Sequence, residues 1–354
     1  MIGAALRLSV WFGESLTAGP HLASEALIAA LARHDVACTT LLRGIEGFGI
    51  NRRIQAERLP DVSTDLPLVA TAIGRRETIL GALEDVDAAV PRGLVTLAST
   101  TVATGGDIAG LTPRDGPGDA ANLTLYCRAG ERANGRSVSR EAVDVLRRGG
   151  AAGAIVLRGV DGAIAGRRGR ARLFGANRDA PMTIISVGPP EPLRACLPAL
   201  AALVAEPVAT FEAVARVKHD GAHLEPPTVP ARAAAERDAW QTIRVYARRT
   251  AHVHGHPLYS ELTRRLRTAG AAGATTILGD WGFSSDEHPH GDRFGRIASH
   301  RPTYTVYVDR PDRVAAVWPL IDEATAEHGL VTSRVVPGYR ERAGDTVHGA
   351  LTGA

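Results

Sequence analysis

Two groups of residues in this 354-residue chain have types and spacing suited to chemistry. The first is a glycine–arginine set. Arg43, Gly44 and Gly47 recur in register as Arg158, Gly159 and Gly162, and each set is followed by paired arginines, Arg52 and Arg53, then Arg167 and Arg168. A third occurrence holds Gly279, Trp281, Gly282 and, further on, Arg293, with Leu278 where the other two have arginine. Glycine permits close backbone approach and positive φ, and guanidinium offers a planar fork of donors matched to phosphate or carboxylate. The set predicts an anion or nucleotide cleft, and it equally suits a tight turn with a solvated basic loop. Its spacing is not a dinucleotide fingerprint, since no helix follows. Trp281, beside Gly282, is placed to stack on a base, and Leu278 predicts a third cleft that takes something other than a bare anion.

The second group is histidine and carboxylate. His252, His254 and His256 alternate, while Asp286, Glu287, His288, His290 and Asp292 crowd a later segment; six of the twelve histidines fall between 252 and 300. Imidazole and carboxylate suit a divalent transition metal such as zinc, nickel, cobalt or copper. An HxHxH run in a loop fixes no ligand geometry, however, and polar loops collect histidine in any case.

Other chemistries are excluded. Of 41 basic residues only Lys218 is lysine, and His219 follows it, so there is no phosphate-binding loop of the lysine type and no obvious Schiff-base site. No GxSxG elbow occurs. Cys38, Cys127 and Cys196 lie far apart with no helical histidine nearby to activate a thiolate. The acidic pair Asp61 and Asp65 suits solubilising or capping better than acid–base catalysis. The chain is expected not to be an enzyme. With 45% hydrophobic and 22% charged residues it has an ordinary globular composition. No stretch is long and apolar enough to span a bilayer, and no export signal is visible. Unpaired thiols then predict a cytoplasmic protein. Positive charge is concentrated in the middle third, but only 5% of residues are aromatic and no basic stripe is interleaved with them, so nucleic acid is not an expected partner.

The elements that must position these residues come in three copies. Leu42–Gly47 recurs as Leu157–Gly162 and, more loosely, as Ile277–Gly282. Downstream of each, Asp65–Leu68 matches Asp179–Met182 and His300–Thr303, and Gly93–Thr96 matches Pro207–Thr210 and Gly329–Thr332. Each copy predicts a strand (Leu6–Phe12, Leu123–Cys127, Ile243–Ala247), a helix with apolar residues at helical spacing, and a strand running into the glycine anchor. A polar segment of about 20 residues follows, then a strand opening on proline, where no ladder donor is needed, and a helix and strand complete the unit. The order is βαββαβ, an α+β, ferredoxin-like arrangement. Copies are expected at 5–103, 121–218 (diverged) and 240–340, with linkers at 104–120 and 219–239 and a flexible tail at 341–354. A right-handed crossover makes the first two strands of a copy parallel, so the loops leaving them share one sheet edge. Trp11, Trp240 and Trp318 are expected to pack within or between copies.

The run LLRGIEGFG followed by DLPLV resembles the PII-like family catalogued as domain of unknown function 190. The third copy, with GHPLYSELTRRLRTAGAAGAT, DWGFSSDEHPHGDRFG and HRPTYTVYVDRPD, resembles a second variant of the same family. The resemblance implies PII-like trimers with ligand clefts between subunits and a mobile loop after the second strand. Three tandem copies then imply an intramolecular pseudo-trimer that needs no homotrimer, the alternative being three independent domains on linkers. The implied function is a sensor that binds an adenine nucleotide or anion in inter-copy clefts. Loops 48–66, 163–180 and 283–301 would engage a partner, by resemblance a membrane transport protein. Two alternatives stand beside it: a metal-binding protein centred on the third copy, and a structural adaptor with decayed ligand sites.

Overall fold

The same element order recurs three times in the computed structural model, which describes residues 2–49, 52–57, 65–113, 118–171, 177–224, 227, 239–284, 289–291, 301–343 and 346–351. Copy 1 comprises β1 (Ile2–Gly13), α1 (Ala23–Ala32), β2 (Cys38–Arg43), β3 (Glu46–Phe48), β4 (Pro67–Gly74), α2 (Arg76–Gly81), α3 (Leu83–Ala89) and β5 (Arg92–Thr104). Copy 2 comprises β6 (Ala120–Arg128), α4 (Val138–Arg148), β7 (Gly153–Arg158), β8 (Asp161–Ile164), β9 (Pro181–Gly188), α5 (Pro190–Leu203) and β10 (Val208–His219). Copy 3 comprises β11 (Trp240–Arg248), α6 (Leu258–Thr268), β12 (Ala274–Leu278), β13 (Trp281–Ser284), β14 (Pro302–Asp309), α7 (Pro311–Ala324) and β15 (Leu330–Val336). A final hairpin, β16 (Gly338–Ala343) and β17 (Thr346–Ala350), follows.

Local sequence explains these elements. The helices carry their apolar residues on one face; in α6, Leu258, Leu262 and Leu266 are buried while Arg264 and Arg267 face out. Helices α5 and α7 start on a proline, whose missing N–H would be unpaired there anyway. The first-loop hairpins of copies 2 and 3 turn at Asn134-Gly135 and His254-Gly255, all with positive φ, as a tight two-residue turn requires. Each third strand begins at the anchored proline, Pro67, Pro181 or Pro302.

Within each copy the sheet order is fourth, first, third, second strand: β5-β1-β4-β2, β10-β6-β9-β7 and β15-β11-β14-β12, all antiparallel. The ladders continue between copies. Strand β3 of copy 1 pairs with β12 of copy 3, β13 of copy 3 with β7 of copy 2, and β8 of copy 2 with β2 of copy 1. The fourth strands make a second circuit. The end of β5 pairs with the start of β10, the end of β10 with β15, and β16, which continues β15, with the start of β5. Each copy keeps a core between its sheet and helices. The opposite sheet faces supply a shared core that includes Leu42 and Val69 of copy 1, Ile155 and Val187 of copy 2, and Ile277 and Tyr304 of copy 3.

Three connecting segments are more ordered than expected. The segment 104–120 is not a bare linker: Gly105–Gly110 forms a 3-10 turn whose Ile108, with Leu111, is buried in the copy 2 core. The linker at 219–239 begins with a hairpin in which Lys218–His219 pairs with Ala222–His223; residues 225–226 and 228–238 lie outside the described set. The expected flexible tail, 341–354, is a hairpin through residue 350 that covers the otherwise open Arg92–Leu97 edge, and its Tyr339 is buried, stacked on Trp240.

Candidate functional site

The anchor glycines lie where one copy's backbone crosses another's. The residue after each first glycine donates its N–H to the neighbouring copy: Ile45 to the Thr276 carbonyl at 2.8 Å, Val160 to Leu41 at 2.7 Å and Asp280 to Val156 at 2.8 Å. A side chain at these glycines would collide either with the neighbouring copy or with the opening proline of its own copy's third strand. A Cβ at Gly47 would stand 2.6 Å from the Ala274 carbonyl oxygen, one at Gly44 2.8 Å from Pro67, one at Gly159 2.6 Å from Pro181 and one at Gly279 2.7 Å from Ile155. Gly162, at φ +149°, meets the Thr39 carbonyl and Gly282 that of Ala154. The Cβ direction at these glycines is filled by protein, so a residue without a side chain is required there for close strand approach.

Most of the expected arginines have internal partners. Arg43 donates through Nε to both carboxylate oxygens of Glu14, at 2.9 and 3.0 Å. Arg158 pairs with Asp280 of copy 3 at 2.6 Å, Arg168 with Asp161 at 2.7 Å, and Arg167 with Glu206 at 3.5 Å. Arg52, at φ 50°, donates to the Gly270 carbonyl at 3.4 Å, at the end of α6. Arg53 is exposed and has no ion pair among the described residues; Arg293 lies outside them. Trp281 is not a free stacking platform. It is buried in the copy 2 core, and the Arg140 guanidinium lies 4.6 Å from its ring centre.

Arg53 borders a cavity of about 440 Å³ between copies 1 and 3. Its walls come from the end of β1 with the following loop (Trp11, Gly13, Ser15), the loop after β3 (Gly49, Gln55), the start of β5 (Arg92), copy 3 (Ala274, Val306) and Glu341 of the tail. Asp65 ties two of these loops together, accepting from the Ser15 N–H at 2.6 Å and from Gln55 Nε2 at 2.8 Å. Arg92, like Arg53, has no ion pair among the described residues. The lining is therefore a partly apolar and aromatic wall that carries two guanidinium groups, Arg53 and Arg92, and two carboxylates, Asp65 and Glu341, a form suited to a flat organic ligand whose anionic group meets the arginines. Sequence alone indicated Arg53; Arg92 and Gly13 escaped it, because neither belongs to a recurring motif.

Register locates the counterparts of this cavity. Gly13, Arg128 and Arg248 each pair with the opening proline of the third strand and are equivalent. At the junction of copies 2 and 1 the Arg128 guanidinium is buried, with Nη2 donating to the Ile164 carbonyl at 2.8 Å and Nη1 to Glu206 at 3.2 Å. At the junction of copies 3 and 2, Tyr246, Phe283 and Pro302, with His290, enclose only about 10 Å³.

Among the described residues the histidines do not gather. His252 Nδ1 lies 2.6 Å from the Thr250 carbonyl and His254 Nε2 2.9 Å from Glu323, while exposed His256 belongs to the same hairpin. His290 instead pairs with Gly282 in the strand ladder and lines a small pocket with Ala154 and Ile155 of copy 2. Among the described residues no three His, Cys, Asp or Glu side chains are placed to hold a metal; Asp286, Glu287, His288 and Asp292 lie outside them.

Two ion-pair systems join the copies. Glu212 of copy 2, fully buried, pairs with Arg7 of copy 1 at 2.8 Å and with Arg334 of copy 3. Burial would raise its carboxyl, but Arg334, Arg7 and Arg244 outweigh that and hold it below the ordinary range. Burial lowers Arg334 to about 10, against the opposing pull of Glu212. Lys218 of copy 2, 2% exposed, donates to the Asp322 carbonyl of copy 3 at 2.7 Å and pairs with its carboxylate. All three cysteines are free and buried, and burial pushes their thiols up, away from the reactive thiolate.

Among the described residues no helix is long and apolar enough to cross a membrane. A protein-family model for the domain of unknown function 190, described only as an uncharacterized ACR, matches residues 5–102, 120–216 and 240–337. These spans coincide with the three repeated strand-and-helix units that create the junctions, and the chain is thus a three-copy member of the domain of unknown function 190 family.

Proposed function

We propose that the chain is a cytoplasmic, PII-like sensor without enzymatic activity, three ferredoxin-like domains closed into an intramolecular pseudo-trimer that binds a small organic anion such as an adenine nucleotide. The observation that carries this reading is the cavity of about 440 Å³ between copies 1 and 3, with Arg53 and Arg92 at a partly apolar wall. Its size suits a small-molecule ligand. The cyclic ladders support the pseudo-trimer, since each junction is built from two copies. The loop at 48–66 leaves β3 at the cavity wall, so an occupant touches the base of that loop and shifts which of its conformations is populated. That loop, with those at 163–180 and 283–301, would present the signal to a partner, by family resemblance a membrane transport protein. Residues 50–51, 58–64, 172–176, 285–288 and 292–300 of these loops lie outside the described set.

The test is a thermal-shift titration with ATP, ADP, AMP and cyclic AMP, with and without magnesium. A ligand at 100 times its dissociation constant adds about 2.7 kcal/mol of stability, a shift of several degrees. One nucleotide should give a saturable shift, and Arg53→Ala with Arg92→Ala should weaken it roughly 10–100-fold, the worth of charge-assisted hydrogen bonds. A flat response to all four would remove the nucleotide. A response unchanged in the double variant would remove the site. The structural-adaptor reading is favoured by one observation of its own, the filled junction at Arg128.

A further inference from the structure

We infer that, among the described residues, the chain carries one open ligand site rather than three, and that Arg128 is a built-in occupant of the second junction. This rests on the ligand-binding reading above and fixes its stoichiometry. Gly13, Arg128 and Arg248 are equivalent by register. Gly13 has no side chain; a Cβ there would stand 2.8 Å from the Asp65 carboxylate, and beyond that carboxylate the cavity stays open. At Arg128 the guanidinium donates to the Ile164 carbonyl and pairs with Glu206. Ile164 is the counterpart of Gly49, because each lies two positions beyond its second anchor glycine. Glu206 is the counterpart of Arg92, because each lies two positions before the residue paired with Trp11 or Tyr126. Gly49 and Arg92 both line the open cavity. The Arg128 side chain therefore spans, wall to wall, the volume that is empty between copies 1 and 3.

The charges follow the same logic. Where the open junction offers Arg92 to an external anion, the second junction has Glu206, already matched by the internal cation. Among the described residues the third junction keeps about 10 Å³, room for no more than a water molecule. Among the described residues, divergence of the copies has left one vacancy, shaped for a ligand with an apolar aromatic body and an anionic group that meets Arg53 and Arg92.

The probe is 8-anilinonaphthalene-1-sulfonate, which has that chemistry, titrated into the full chain by fluorescence and equilibrium dialysis. The expected stoichiometry is one per chain. Gly13→Arg should weaken binding at least tenfold, and Arg128→Gly, folded as judged by near-ultraviolet circular dichroism, should raise the number of sites to two. Three equal sites in the unaltered chain, or one site indifferent to Gly13→Arg, would overturn the inference while leaving ligand binding standing. No binding by the unaltered chain would remove both. An Arg128→Gly chain that folds with one site would refute the role of Arg128; if it does not fold, the unaltered chain and Gly13→Arg decide.

Discussion

At the centre of the molecule Glu212 faces guanidinium groups drawn from copies 1 and 3, Arg7 at 2.8 Å and Arg334, with Arg244 adding to the field. Removing one partner of a buried ion pair leaves an uncompensated charge, so Glu212→Gln should destabilise by about 3–5 kcal/mol. A lower urea midpoint with unchanged slope would check it. The titration has a definite sign. Glu212 is held below the ordinary carboxyl value. Glu261 is lowered from 4.5 to about 2, first by its hydrogen bonds to Arg264, with burial opposing and Arg265 assisting. Groups with depressed values stabilise the fold fully above the unfolded value and lose that contribution as pH falls. Stability should therefore fall on acidification from about pH 5 towards pH 2, and Glu261→Gln should flatten part of that slope in urea melts.

Among the elements, the short strands β3, β8 and β13 hold the copies together, and their glycines set how closely they can approach. Gly47→Ala places a methyl 2.6 Å from the Ala274 carbonyl oxygen and should cost about 1–3 kcal/mol. Gly3→Ala, in the first strand with nothing within 4 Å, should stay within about 0.5 kcal/mol. Equal effects in thermal melts would discount the packing argument. The same glycines show what sequence could and could not convey. Their spacing, with the downstream prolines, located all three copies and the start of each third strand. Their purpose was hidden, because a glycine beside a phosphate and a glycine beside another backbone satisfy the same steric need. Arg43 was legible as a cation near the first loop, but its capture by Glu14 depends on the βαβ crossover that brings residues 14 and 43 together. Gly13 carried no signal until strand register placed it opposite Pro67, alongside Arg128 and Arg248. The tail appeared unstructured because its strand partners, Arg92 to Leu94, lie about 250 residues away in sequence.

For the molecule as a whole, the two circuits of strand pairing mean that no copy is an end. Copy 1 is held by copy 3 through β3 and β16, and by copy 2 through β8 and β10. Opening one junction exposes Phe48, or Trp281 and Phe283, which sit in the core of the neighbouring copy. Calorimetry should give one cooperative transition for all three copies, with a midpoint independent of protein concentration. Three separable transitions would describe independent domains. The buried cluster also orders the copies. Ala98, Glu212 and Arg334 occupy equivalent positions in the three fourth strands, so three identical copies would bring together three like charges or none.

The burial of Lys218 has a consequence for covalent chemistry. As the only lysine, it is the chain's one side-chain amine, and in the folded state that amine is 2% exposed against Asp322. Enzymes that acylate or conjugate surface lysines find no acceptor on the folded chain. Amine-directed crosslinkers and surface-coupling reagents fail there for the same reason. The rate at which an amine-selective reagent reaches Lys218 thus becomes a clock, readable by mass spectrometry, for how often the seam between copies 2 and 3 opens.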